Sequence, residues 1–419
     1  MYINRAIDCL IGKYSETFKA VLLTGARQVG KSTTLKHLAG ERRYVTLDDP
    51  FVEDQAKTNA QLFLSLNEPP VTIDEVQHAP ELFRHVKLVC DERQDETGLF
   101  YLSGSQPFHL MKGVSESLAG RVRILEMSTL SLREITGDGF DRHFLPTSDY
   151  VAARAQTFRR AENLWQIIQR GGYPGVQNPN VEWSAFYADY VKTYLERDVR
   201  ALTAVHDLTA FRQFMTAMAA RTGEVLNYAN IADEIGKDAG TVRAWVSVLE
   251  ASGLVYLLQP YSTSELKRTI KAPKVYFRDT GLASYLTRWL TPEALACGAM
   301  AGHMFETFAV SEILKSYSNE GLDYRDFVSY YRGRDRRKVR IDRTEQEVEG
   351  EIDLILEENG TLHPVEIKLT GTPRVTDTAA FQVLDAVAGK ERGEGAVVCM
   401  CPTVGQLRDN VFLLPVEFI

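Results

Sequence analysis

The chain has 419 residues, 44% of them hydrophobic and 25% charged, with a formal net charge of -8. That length exceeds one ordinary core and predicts about two to four domains of a globular protein. The acidic balance excludes attraction to nucleic acid by the whole molecule, so any such binding needs a local basic patch.

The N-terminal stretch "MYINRAIDCLIGKYSETFKA" carries charge throughout and has no continuous apolar region. No secretory signal is visible in it, and no segment of the chain approaches the length of a membrane-spanning helix. Five scattered cysteines, Cys9, Cys90, Cys297, Cys399 and Cys401, argue for a reducing compartment and against a disulfide framework. The expectation is a cytoplasmic protein without membrane partners.

The apolar run Val21-Leu22-Leu23 predicts a strand, and it delivers the chain to "GARQVGKS". Gly25-x-x-x-x-Gly30-Lys31-Ser32 is the Walker A pattern. Backbone N–H groups of Gly25, Ala26, Arg27, Gln28, Val29 and Gly30 must turn inward around phosphate oxygens, which the glycines permit. Lys31 supplies a point charge to the β- and γ-phosphates, Ser32 a hydroxyl to magnesium, and Thr33 continues a helix whose N-terminus attracts anions. ATP and Mg2+ are the ligands this spacing predicts.

"PPVTIDEVQ" then sets Val71, Thr72 and Ile73 on a strand ending in Asp74 and Glu75. Asp74 is placed to hold magnesium through water, and Glu75 to orient and deprotonate an attacking water, so hydrolysis is expected as well as binding. "LFYLSGSQ" is a further strand, after which Ser105 or Ser103 is placed to sense the γ-phosphate. "SLAGRVRIL" offers Arg121 either as a finger reaching the phosphate of a neighbouring subunit, which would make the protein a homo-oligomer, or as a surface ion pair.

Residues from about Tyr2 to Glu134, carrying "TGARQVGKST", "IDEVQ", "SGSQ" and "SLAGRV", resemble an AAA+-type P-loop ATPase of the prokaryotic lineage. "RGGYPG" (Arg170 to Gly175) and "YVKTYLERDVR" (Tyr190 to Arg200) resemble the C-terminal domain of unknown function that accompanies this ATPase. The resemblance implies an ATPase and leaves its biological role open.

Gly137-Asp138-Gly139 and the polar stretch to Tyr150 close the ATPase core, assigned to residues 1–145. A helical linker follows over 146–205. Within it Gly171-Gly172-Tyr173-Pro174-Gly175 is either a packed loop or a hinge, and "WSAFYADYVKTYLERDVRAL" is a long helix with an aromatic core stripe. Residues 206–286 spell a winged helix-turn-helix. A helix carries Leu208, Phe211, Met215 and Met218, and a short second helix carries Ile231 and Ile235. A third carries Val242, Trp245, Val246 and Leu249, and the strands "VYLLQPY" and "KVYFRD" follow it. The helix from Thr241 would be the recognition helix, with Arg243, Lys237, Lys267, Arg268 and Lys271 as its scarce cations. Such a module binds DNA or serves as a protein contact.

Residues 287–419 hold a second carboxylate group. Alternation in "GEIDLIL" sets Glu351, Asp353 and Ile355 on one strand face and Ile352, Leu354 and Leu356 on the other; "HPVEIKL" points Glu366 and Lys368 together. In "HMFETFAVSEILKSY" Glu306 shares a helix face with Val310, Ile313, Leu314 and Tyr317 and needs a partner. This arrangement resembles the PD-(D/E)XK nuclease fold, which implies magnesium held by Asp353 and Glu366, Glu306 as a helical acid, and Lys368 beside an attacking water. "RGRDRRKVRIDR" (Arg332 to Arg343), preceded by Tyr330 and Tyr331, is the clearest basic patch, for a phosphate backbone or as a solvated hairpin tip. Cys399 and Cys401 sit in a strand-like apolar run and belong to a core.

The sequence therefore describes an α/β multi-domain chain: a P-loop ATPase core, a helical linker, a winged helix-turn-helix and a PD-(D/E)XK nuclease-like α/β domain. The function expected is ATP hydrolysis coupled to DNA binding or processing. The alternative is an ATP-driven switch whose C-terminal domains bind DNA or protein without cleaving.

Overall fold

A computed structural model describes residues 2–105, 118–195, 199, 207–262, 272–341 and 344–419, with the backbone alone for 334–341 and 344–349. The wing cations Lys267, Arg268 and Lys271 lie outside the described residues, as do the side chains of the basic stretch from residue 334 onward.

Five strands, β1 (Ala20–Thr24), β2 (Arg43–Thr46), β3 (Val71–Asp74), β4 (Phe100–Gly104) and β5 (Val122–Glu126), form one sheet in the order β2-β3-β4-β1-β5. All its pairings are parallel. A parallel sheet is covered on both faces, which is why its central strands read as unbroken apolar runs. Leu22, Ile73, Phe100 and Leu102 pack under the helices Pro50–Thr58, Ala60–Leu66 and Leu82–Glu92. Val21, Leu23, Tyr101 and Leu125 face the helix Ile7–Ser15 and the rest of the molecule. Because every strand runs the same way, the segments after β1, β3 and β4 emerge at one edge, and β4 lies between β1 and β3.

Helices follow at Leu132–Thr136, Ser148–Arg154, Leu164–Arg170 and Trp183–Tyr194, then at Leu208–Ala219, Tyr228–Ile235 and Ala239–Ala251. The last of these opens on Asp238, whose carboxylate accepts the Thr241 N–H, and it buries Val242, Trp245, Val246 and Leu249. β6 (Val255–Leu258) and β7 (Lys274–Phe277) then pair antiparallel. Residues 223–226 border β7: Gly223 N donates to Val275 O at 2.7 Å and Leu226 N to Pro273 O at 2.9 Å.

The C-terminal part contains the helix Ala301–Asn319 and the strands β8 (Val328–Ile341), β9 (Thr344–Glu358), β10 (Thr361–Lys368), β11 (Glu391–Arg392), β12 (Gly395–Cys399), β13 (Gly405–Arg408) and β14 (Val411–Pro415). A 3-10 segment, Val375–Ala386, links β10 to β11. The main path of the sheet is β13-β14-β12-β10-β9-β8. Cys399 and Cys401 are buried in it as free thiols.

Two expectations change here. The Ala301–Asn319 helix is buried on nearly all sides, so Glu306 does not stand on a single apolar face. The β8–β9 register shifts between Ser329 and Tyr331, where Ile355 and Ile352 are their partners. That bulge breaks the alternation, and Ile352 packs with Ile355 in one core while Leu354 packs in the other. Backbone register sets Arg336 opposite Glu349, Lys338 opposite Glu347 and Arg340 opposite Glu345.

One contiguous apolar cluster runs from the parallel β1–β5 sheet through the middle helices to the C-terminal sheet. Among the described residues, no helix is long and apolar enough to cross a membrane.

Candidate functional site

The loop between β1 and the helix Lys31–Leu38 depends on its glycines. Gly25 has φ 141° and Gly30 has φ 104°, and Gln28 joins them at φ 60°. A Cβ on Gly25 would stand 2.2 Å from the Met127 carbonyl oxygen, so β5 and its continuation press directly on the loop. Lys31 is buried, and its Nζ donates to the carbonyls of Gly25 at 3.0 Å and Ala26 at 2.7 Å. The ammonium thus curls over its own loop, where phosphate oxygens would replace those carbonyls.

Arg5, which belongs to no recognisable motif, fixes the loop from behind. Its guanidinium donates to Val29 O at 2.9 Å, Ser128 O at 2.7 Å and Glu134 Oε1 at 3.0 Å. Glu134 also accepts the Ala6 N–H at 2.8 Å and the Ser131 N–H at 2.8 Å. No local pattern marks Arg5, because its partners come from three distant segments.

At the end of β3, Asp74 is buried and held by hydroxyls: Tyr44 donates to Oδ2 at 2.6 Å and Ser103 donates to Oδ1. Burial and this bond push the Tyr44 phenol above its ordinary range. Ser103 also accepts the Glu75 N–H at 3.2 Å, so its role is to set the two acids. Glu75 stands in the left-handed region at φ 59°, a conformation that costs a non-glycine residue roughly 1–3 kcal/mol and is found where position matters. Its Oε2 accepts from Ser105 Oγ at 3.2 Å and from the Gln77 amide.

A cleft of about 570 Å³ opens beside these groups. On one side are Arg27, Gln28, Gly30, Lys31, Ser32, Thr33, Glu75 and Ser105; across it are Pro174, Gly175, Phe186 and Thr193. The second wall comes from the Gly-rich turn and the Trp183–Tyr194 helix, so a cofactor there would touch two modules. That turn is packed. A Cβ on Gly171 would lie 2.4 Å from Asp279 Oδ1, and one on Gly172 would lie 2.4 Å from Leu130 O. Asp279 in turn accepts the Gly172 N–H at 2.7 Å and the Tyr187 hydroxyl at 2.7 Å.

Arg121 is elsewhere. It precedes β5, at the opposite edge of the sheet from the loop, and forms a pair with Asp91 at 2.5 Å and 3.2 Å. Within the chain it forms a surface ion pair.

The second carboxylate group does assemble. Glu306, Asp353, Glu366 and Lys368 come together, with Lys368 Nζ donating to Glu366 Oε1 at 2.5 Å and Ile367 N to Asp353 Oδ2 at 2.9 Å. A fifth residue, Lys274 from β7, enters among them. Its Nζ lies 2.9 Å from Glu351 and 3.5 Å from both Glu306 and Asp353. Burial, with the Asp353 charge adding to it, raises the Glu306 carboxyl to about 7 and the Glu366 carboxyl to about 8. Among the described residues no group of three or more His, Cys, Asp or Glu is arranged to hold a metal ion. The Lys274 ammonium stands against Asp353, one of the two acids assigned to magnesium, and Lys368 against Glu366, the other, so the residues as placed do not fit the metal.

The outward face of the Ala239–Ala251 helix is thin in free charge. Arg243 lies over the Tyr228 ring at 5.1 Å, and Lys237 pairs with Asp207 at 3.0 Å.

Residues 17–136 match the model of an AAA domain. Residues 161–293 and 301–419 match two separate models, each described as a domain of unknown function. The chain is 29% identical over 369 residues to uncharacterized proteins of Mycobacterium tuberculosis and Mycobacterium bovis, covering 87% of this chain and 74% of theirs. Among solved structures, the Walker-type ATPase PABY2304 of Pyrococcus abyssi shares 14% identity at a TM-score of 0.42, over 68% of this chain and 96% of that one. AMPPCP-bound DnaA from Aquifex aeolicus shares 13% at 0.27, over 57% and 86%. The chain thus carries an AAA-type domain, and the mixed α/β architecture agrees with it.

Proposed function

We propose that this protein hydrolyses ATP in the cleft between its AAA-type domain and the Gly-rich turn, and uses the nucleotide state as a switch on its C-terminal modules. The observation that carries this reading is the cleft itself, which gathers Lys31, Ser32, Glu75 and Ser105 against Pro174, Gly175, Phe186 and Thr193. The backbone N–H groups of the loop bind the phosphates, and Lys31 exchanges the Gly25 and Ala26 carbonyls for their oxygens. Ser32 and, through water, Asp74 would hold Mg2+, which when bound neutralises charge on the β- and γ-phosphates. Glu75 orients the attacking water and takes its proton, while Ser105 fixes the Glu75 carboxylate. Phe186 and Pro174 exclude bulk water from that side.

In this reading the last domain is PD-(D/E)XK nuclease-like, a reading supported by the Ala301–Asn319 helix and the strands β8, β9, β10 and β12, and the three helices with the β6–β7 hairpin are a winged helix. The ion pairs of Lys274 favour a switch that binds DNA or protein without cleaving it. DNA cleavage is a second reading, supported by Glu366 Oε2, which is buried without a hydrogen-bond partner. In our reading the ATPase domain spans residues 1–145, the linker 146–205, the winged helix 206–286 and the last domain 287–419, in a cytoplasmic protein that can self-associate.

The test is ATP turnover. Lys31→Ala should abolish nucleotide binding, and Glu75→Gln should keep binding while lowering kcat by about 10²–10⁴-fold. Turnover that persists in Lys31→Ala would refute the site. Plasmid nicking by the wild type with Mn2+ would replace the switch by the cleaving reading.

A further inference from the structure

The cation inside the C-terminal carboxylate cluster comes from a different module. Lys274 begins β7, in the hairpin after the Ala239–Ala251 helix, and its side chain is 4% exposed. The Tyr330 ring lies 5.6 Å from its ammonium, and Tyr276 on the same strand donates its hydroxyl to Glu306 Oε1 at 2.7 Å. Around Lys274 stand Glu306 from the helix and Glu351 and Asp353 from β9. Beyond them Glu366 on β10 gives Oε1 to Lys368, and its side chain is 9% exposed. Its other oxygen, Oε2, has no partner.

Buried carboxylates need a counter-charge, and several of them crowded together need more than one. Here Lys274 serves Glu306, Asp353 and the partly exposed Glu351, which Arg332 also approaches at 3.7 Å; Lys368 serves Glu366, and one oxygen of Glu366 is left open. A divalent cation would meet that deficit with oxygen ligands alone, yet Lys274 Nζ fills the space between Glu306 and Asp353. The lysine that does so belongs to a strand of another module and not to the sheet that carries the acids. We propose that Lys274 is a built-in cation that closes the cluster of Glu306, Asp353 and Glu366 to divalent metal. This inference rests on the nuclease-like reading of the last domain and gives it a closed state.

Mn2+ titration of the nucleotide-free full chain, followed by the electron paramagnetic resonance of the free ion, tests it. Lys274→Gln should bind Mn2+ at least about tenfold more tightly than the wild type, and adding Asp353→Asn should remove that gain. Lys274→Gln combined with Glu351→Gln removes one charge of each sign, which keeps the test open should the single variant fold poorly; it should show the same gain. Wild-type binding as tight as the variants', or no gain in either folded variant, would overturn the proposal. Plasmid nicking on the same samples separates the two ideas. Tight Mn2+ binding without nicking leaves the lysine closure standing and removes cleavage, whereas nicking by the wild type removes the closure.

Discussion

Asp74 is kept in place by hydroxyls, and this decides how its neighbours should behave. A carboxylate that will share a divalent ion is better oriented by neutral donors than by an ammonium, which would compete for the same charge. Tyr44 and Ser103 do this from the adjacent strands β2 and β4. Tyr44→Phe and Ser103→Ala are therefore expected to lower kcat/KM for ATP by about 10–100-fold, as loss of a ligand's supporting hydrogen bond does. Raising the Mg2+ concentration should recover part of the loss. The measurement is kcat/KM against Mg2+ for each variant, and a loss that no Mg2+ concentration relieves would show that the hydroxyls act by another route. Arg5 belongs to the same scale: it grips the loop through Val29 O and anchors it to Glu134, so its effect reaches nucleotide only through the backbone it positions.

At the scale of elements, the glycines separate two kinds of contact. Gly172 meets the Leu130 carbonyl, and a methyl there would press on backbone that cannot yield. Gly12, in the helix Ile7–Ser15, has nothing within 4 Å of its would-be Cβ. Gly172→Ala should cost about 1–3 kcal/mol in urea unfolding, while Gly12→Ala should stabilise by roughly 0.5–1 kcal/mol. Equal effects at the two sites would remove the packed-junction account of the turn. The same contrast explains what the sequence could disclose. The phosphate loop was legible because phosphate chemistry dictates residue types at fixed spacing, and β1, β3 and β4 because a parallel sheet demands apolar runs. The pairing of β8 with β9 was not, since register is set by partners and bulges, and the bulge near Asp353 reversed the expected faces. Lys274 was invisible for a related reason. A lysine in a strand reads as solvated until tertiary structure sets Glu306, Glu351 and Asp353 around it.

At the scale of the molecule, one apolar cluster is shared by the modules, beside a cluster confined to the first sheet and another largely in the C-terminal sheet. The segment after β5 is bonded to the last domain: Leu132 N donates to Glu312 Oε2 at 2.7 Å, and Lys315 Nζ reaches Leu130 O at 3.0 Å and Glu312 Oε1 at 2.8 Å. Leu130 also donates to Gly172 O at 2.7 Å, so the ATPase sheet, the Gly-rich turn and the Ala301–Asn319 helix meet at one residue. A change in the nucleotide cleft thus has packed contacts to act through. The buried Glu312–Lys315 pair is the sensitive point of this junction, because removing one partner strands a buried charge at a cost of about 3–5 kcal/mol. Wild-type protein should unfold in one calorimetric transition, with the van't Hoff enthalpy equal to the calorimetric one. Glu312→Gln should split it in two, with a nucleotide analogue raising only the transition of the ATPase domain. Two transitions in the wild type would mean that the shared core does not couple the modules, and the switch would then need another connection.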